Sequence, residues 1–140
     1  MQSLVVVHDT QEDLDAWIKK YSGRGEADPA VYGRLLYQRR FCGSCHSLDG
    51  SKRVGPSFQA LYGSEHPLVS GESVKVDSNH IRESILEPKA KIYAGYSPVM
   101  PSYKGQLSDD DIESLIAYLK TLAPSSAAPA TAVEPAVTKP

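Results

Sequence analysis

Cys42 and Cys45 stand three positions apart with His46 directly after the second, and they are the only cysteines in a chain of 140 residues. Thiols at this spacing can each add to one vinyl group of a haem, and the histidine that follows is then placed to ligate the iron. Two other uses of a Cys-x-x-Cys pair find little support in the remaining sequence. A zinc site wants about four ligands, and no second Cys pair or His-x-His cluster accompanies this one. A thioredoxin-like redox pair belongs to a βαβ alternation that the flanking pattern lacks. The reading is covalent attachment of one haem c through Cys42 and Cys45, with His46 as an axial ligand.

A second axial ligand, or an open sixth position, must complete such a site. The chain has two methionines, Met1 in a terminal strand-like run and Met100 in Gly95-Tyr96-Ser97-Pro98-Val99-Met100-Pro101-Ser102-Tyr103. Prolines on both sides of Met100 block helix and make a stiff loop, which suits a weak thioether ligand. Methionine more often fills gaps in a core, but core methionines sit in periodic apolar runs and this one does not. Gly55-Pro56 lies a turn and a loop beyond His46, and the Pro56 carbonyl is a candidate acceptor for the second ring N–H of that histidine. An ordinary turn is the alternative use of that dipeptide. His8, His66 and His80 have no second ligand at helical spacing and read as surface or packing residues.

The elements that must position these groups are helices. Asp28-Pro29 supplies an N-cap and an N1 proline for a helix running to about Arg40, with Gly33, Leu36 and Tyr37 on one side. Asp77 or Ser78 caps a helix through Ile81, Ile85 and Leu86 that ends before Pro88. Ser108 opens a last helix whose Asp109, Asp110 and Asp111 suit the positive end of the helix dipole. An acidic docking patch is the sharper reading of that run. Ile112, Leu115, Ile116, Leu119 and Leu122 form the apolar stripe of this helix. Between Ser47 and Ser78 only short helical turns are expected. Ahead of the main domain, Ser3 to Val7 reads as a strand, and a helix from about Glu12 to Tyr21 has Thr10 and Asp13 as a box-like cap. Residues 124–140 are rich in Pro, Ala, Ser and Thr and read as a disordered tail.

From about Asp28 to Leu122 the chain resembles a class I cytochrome c domain. The likeness rests on Gly33, Tyr37, Cys42-Cys45-His46, Gly55-Pro56, Leu61-Tyr62-Gly63, Met100, and a final helix with Leu115, Tyr118 and Leu119. More narrowly, Asp77 to Pro88 with Ala94 to Tyr103 is similar to the haem domain fused to subunit II of caa3-type cytochrome c oxidases. That family usually carries an aromatic where His80 stands and a small residue where Phe41 stands. The resemblance implies an all-α fold of three to five helices around the haem, with residues 28–123 as the domain. It also implies His46/Met100 ligation, and haem packing or edge contacts by Tyr96, Val99 and Tyr103. Residues 1–22 would be the trailing segment of a cupredoxin domain holding a dinuclear copper centre, with 23–27 as linker.

Function is then expected to be one-electron transfer without bond chemistry at the iron, and no catalysis by this domain alone. Electrons would come from a donor cytochrome or iron–sulfur protein and pass to the copper domain of the same oxidase subunit, among other oxidase subunits. Alternatives are a free-standing periplasmic cytochrome c, and a haem enzyme or gas sensor with a labile sixth ligand. A net charge of −2, from 15 Lys+Arg against 17 Asp+Glu, argues against nucleic acid as a partner. No apolar run approaches the ~20 residues that span a bilayer, so a membrane is reached only through the parent chain. Haem of this kind matures outside the cytoplasm, which puts the domain on the extracytoplasmic face. With only Leu4 to Val7 as an apolar start, the chain reads as an excised fragment. From Arg82 to Lys104 the small excess of basic residues predicts largely apolar recognition near Met100, with modest steering.

Overall fold

Two helices from opposite ends of the domain cross at a glycine, and the rest of the core is arranged around that crossing. The computed structural model describes residues 10–13 and 28–124. Helix α1, Pro29–Arg39, begins where the Asp28 carboxylate accepts the Ala30 N–H at 2.7 Å. Helix α3, Asp109–Thr121, begins with a reciprocal capping box between Ser108 and Asp111. A Cβ on Gly33 would lie 1.9 Å from the Ser114 carbonyl oxygen, so the absence of a side chain is what lets these backbones touch. Around the contact, Tyr37 and Tyr118 set their rings 6.0 Å apart and the Tyr32 hydroxyl bonds Asp111 at 3.2 Å. Ile112, Leu115, Ile116 and Leu119 of α3 are buried, whereas Leu122 is only partly covered.

Helix α2, Ser78–Leu86, is capped by Asp77, which accepts the His80 N–H at 2.8 Å. Arg82 fastens it to α3 through Asp109 at 2.7 Å and through Glu113. The Asp109 carboxylate is therefore engaged in both helix initiation and an inter-helix ion pair. Because both acidic partners are exposed, solvent screens that pair and it adds little stability.

The segment expected to hold only helical turns contains a hairpin instead. Strands β1, Glu65–Pro67, and β2, Ser73–Lys75, pair antiparallel with His66 opposite Val74, and Leu68 bridges to Tyr93. Gly71, at φ +91°, makes the reversal. Strands this short give too little alternation for a period of two to show. Only the central residue of each turns inward.

Residues 11–13 are helical, and Thr10 Oγ1 accepts the Asp13 N–H at 3.1 Å. The remainder of the helix expected to Tyr21, the Ser3–Val7 strand, the 23–27 linker and the tail after Pro124 lie outside the described residues. Among the described residues no helix is long and apolar enough to cross a membrane.

Candidate functional site

After α1 the chain reverses through Phe41, at φ 55°, into the 3₁₀ turn Cys42–Ser44. A bulky residue is uncommon in this left-handed region. The turn is fastened by Ser44, whose N–H and hydroxyl both donate to the Phe41 carbonyl at 3.0 and 2.7 Å. The His46 N–H closes it on the Cys42 carbonyl at 2.9 Å. Cys42, Cys45 and His46 thus line one cavity of about 360 Å³, within the range of about 300–1,000 Å³ found for cofactor sites.

The His46 ring is constrained from several directions. Its Nδ1 lies 2.8 Å from the Pro56 carbonyl oxygen, and the Phe58 ring stacks on it at 4.5 Å and 22°. A Cβ on Gly55 would sit 2.5 Å from its Cε1, so only glycine leaves room. The Tyr37 hydroxyl donates to the His46 carbonyl at 2.7 Å. Burial lowers the imidazole pKa, and the Pro56 carbonyl works in the opposite direction. The neutral ring then donates Nδ1–H to Pro56 and keeps a lone pair on Nε2, the form that ligates a metal.

Met100, Tyr96, Val99 and Tyr103 line the same cavity. Their loop is tied by the Tyr103 N–H to the Ile85 carbonyl at 3.1 Å and by the Ser102 hydroxyl to the Leu86 carbonyl at 2.6 Å. Leu115 and Leu119 of α3, with Ile81 and Ile85 of α2, add apolar wall. Every residue singled out from the sequence as a haem contact therefore meets at this one cavity.

Phe58 and His80 also serve the site, Phe58 by stacking on His46 and His80 by lining the cavity, and neither is assigned a place there by the sequence. His80 is buried and His66 half-buried, both stacking on Tyr93, with ring centroids 5.6 and 4.6 Å away. Phe41, which replaces a small residue, has its side chain 77% exposed at the cavity and takes no core position.

The residues present fit a haem. Phe41, Val54 and Val99 line the cavity yet are 77%, 54% and 61% exposed, apolar surface that a large apolar body would cover. The two thiols are free, and burial pushes Cys42 up, opposite to the lowered thiol of a redox-active Cys-x-x-Cys pair. Among the described residues no group of three or more His, Cys, Asp and Glu is placed to hold a metal ion. Near the Met100 loop, Lys91 pairs with Glu83 at 2.7 Å and Lys104 with Glu87 at 3.7 Å, so the local basic excess is partly neutralised.

Residues 30–123 match the family model described as Cytochrome c. Among curated proteins, the chain is 29% identical over 116 residues to cytochrome c oxidase subunit 2 of Alkalihalophilus pseudofirmus, covering 80% of this chain and 32% of that protein. It is 36% identical over 89 residues to cytochrome c2 iso-2 of Magnetospirillum molischianum, covering 58% of this chain and 90% of the relative. Cytochrome c2 of Rhodoplanes tepidamans is 31% identical over 90 residues, with the same coverage. The chain thus spans about a third of the oxidase subunit and nearly all of each cytochrome c2.

Proposed function

Because the chain belongs to the cytochrome c family, we propose that Cys42 and Cys45 bind one haem c covalently and that His46 and Met100 hold its iron for one-electron transfer. Bound there, haem c supplies a single Fe(III)/Fe(II) couple. The Cys42–Ser44 turn and the Cys45 that caps it would offer their two thiols to the haem. Pro56 fixes the His46 tautomer so that Nε2 is the ligating atom, and Phe58 and Gly55 fix the ring plane. Met100, stiffened by Pro98 and Pro101, would hold the iron together with His46. Met/His ligation favours a high potential and excludes oxygen and peroxide. Tyr96, Val99 and Tyr103 close the cavity on the Met100 side, and exposed Val99 offers apolar contact to a redox partner.

The observation that carries this reading is the meeting of the Cys-x-x-Cys-His turn and Met100 at one apolar cavity. It is tested by adding carbon monoxide to the ferrous holo-protein. A saturated iron gives no spectral change on the timescale of mixing. Rapid binding would instead favour a haem enzyme or gas sensor.

The electron acceptor we propose is the dinuclear copper centre of a preceding domain in an oxidase subunit II. Its support is reach: the likeness to the oxidase subunit covers 80% of the chain, more than residues 30–123 contain, against 58% for either cytochrome c2. In that setting a donor cytochrome or iron–sulfur protein supplies electrons, and the domain works on the extracytoplasmic face of the membrane. The coding sequence upstream of Met1 should then encode two membrane helices and a Cys- and His-bearing copper motif. A secretory signal peptide alone would leave a free-standing periplasmic cytochrome c.

A further inference from the structure

Among the described residues, His80 Nδ1 is the one buried side-chain nitrogen or oxygen without a hydrogen-bond partner. His80 is 4% exposed, sits on α2 and lines the cavity. Its Nε2 lies 2.9 Å from the Tyr93 hydroxyl, and the rings stack at 22°. Burial pushes Tyr93 up to about 12, so that hydroxyl keeps its proton at ordinary pH. A neutral imidazole has one N–H. With that proton on Nε2, Nδ1 is a buried lone pair without a donor; with it on Nδ1, the N–H faces the Glu83 carboxylate from beyond hydrogen-bond distance while Nε2 accepts the Tyr93 O–H. A second proton puts an N–H on both nitrogens and makes the facing pair ionic. Nε2–H then donates to Tyr93, and Nδ1–H faces the Glu83 carboxylate, now 3.7 Å away. Glu83 is 36% exposed and gives the proton a route from solvent.

We propose that His80 is a redox-linked proton site: Nδ1 takes one proton from solvent when the haem in this cavity gains an electron, and returns it when the electron leaves. The inference rests on the haem reading above. The electron comes from the donor protein and the proton from water, so no other reactant is needed. Reduction removes one positive charge from the cavity that His80 lines, which lowers the cost of a second cation in the same low-dielectric surroundings. The groups facing His80 can be named from each side. Burial is the largest influence and holds its pKa below the ordinary histidine value. Glu83 on α2 and Asp77 at its cap favour the proton, and Lys91, itself bonded to Glu83, opposes it. Tyr93, held protonated, stacks on His80, and His66, lowered by burial, stacks on Tyr93 in turn. An aromatic at this position, as in the family the chain resembles, could not bind the proton.

The test is the reduction potential of the holo-protein from about pH 4 to pH 8, spanning the ordinary histidine pKa of about 6.5. The potential should fall with rising pH through one proton step, by about 59 mV for each tenfold gain in proton affinity on reduction. His80→Gln should flatten that step, and His66→Gln should leave it. Ring-nitrogen NMR of the unmodified protein reads the same site directly, with a higher His80 pKa in the reduced state. Equal His80 pKa values in the two oxidation states, or an unaltered step in His80→Gln, would overturn the proposal. The sulfur-to-iron charge-transfer band of the same sample separates the two readings. Its absence counts against Met100 alone, since the proton link depends on haem charge and not on the sixth ligand.

Discussion

On the His46 side of the cavity each degree of freedom of the ligand meets a contact: Pro56 on Nδ1, Phe58 on the ring face, Gly55 against Cε1 and Tyr37 on the carbonyl. On the Met100 side, the loop is fastened at both ends, by the Tyr96 N–H on the Tyr93 carbonyl and by Ser102 and Tyr103, and the Val99 N–H turns back to the Ser97 carbonyl. Met100 is half-buried against the core, between two prolines that stiffen its loop. Folding of the polypeptide therefore fixes the His46 ring closely, whereas Met100 is placed by packing and loop stiffness. Damage to the first side should appear as lost stability and poor haem incorporation. Damage to the second should appear as a changed potential and an accessible iron.

Gly55→Ala is the strongest way to break the His46 side, because its Cβ would meet Cε1 at 2.5 Å and Nδ1 at 2.8 Å. Overpacking of this kind costs about 1–3 kcal/mol. Urea denaturation of the holo-protein should show that loss, together with a lower yield of covalently loaded protein. A midpoint equal to the parent's would mean that the ring has room to move.

Tyr37→Phe removes a single hydrogen bond to the His46 carbonyl and should cost about 1 kcal/mol. Thermal melting should record the drop with no change in the visible spectrum, since the iron ligands stay in place.

Acid should weaken the fold through His66 and His80, neither of them a proposed ligand. Burial lowers His80 and His66 in the folded protein, while in the unfolded chain each titrates near about 6.5. The unfolded chain therefore binds more protons below that value, and stability is full above it and lost as pH falls toward the folded pKa values. Melting temperature should decline on acidification of the oxidised protein, less steeply in His80→Phe. A decline of the same steepness in that variant would move the cause elsewhere.

Ser102→Ala should have the smallest effect on stability, about 0.5 kcal/mol or less, because the bond to the Leu86 carbonyl is exposed. It should nonetheless speed cyanide binding to the ferric protein if loop stiffness holds Met100 in position. Unchanged cyanide kinetics would show that the prolines suffice.

The sequence revealed these two sides unequally. Helices α1, α2 and α3 were legible because Asp28, Asp77 and Ser108 are caps followed by apolar residues at helical spacing. The Cys42, Cys45 and His46 triplet was legible because its spacing is local. The β1–β2 hairpin was not, since three-residue strands carry no usable period. Nor were Phe58 and His80 as parts of the cavity, because each reaches it through packing between segments distant in sequence. His80 has no motif around it, and only its burial and the unsatisfied Nδ1 mark it.

The most direct measurement is the sulfur-to-iron charge-transfer band of the ferric holo-protein, recorded beside Met100→Ala. His46/Met100 ligation predicts the band in the parent, its loss in the variant, and a lower potential with open access for cyanide in the variant. A band that persists in Met100→Ala, or is missing from the parent at neutral pH, would contradict the assignment of Met100 as the ligand opposite His46.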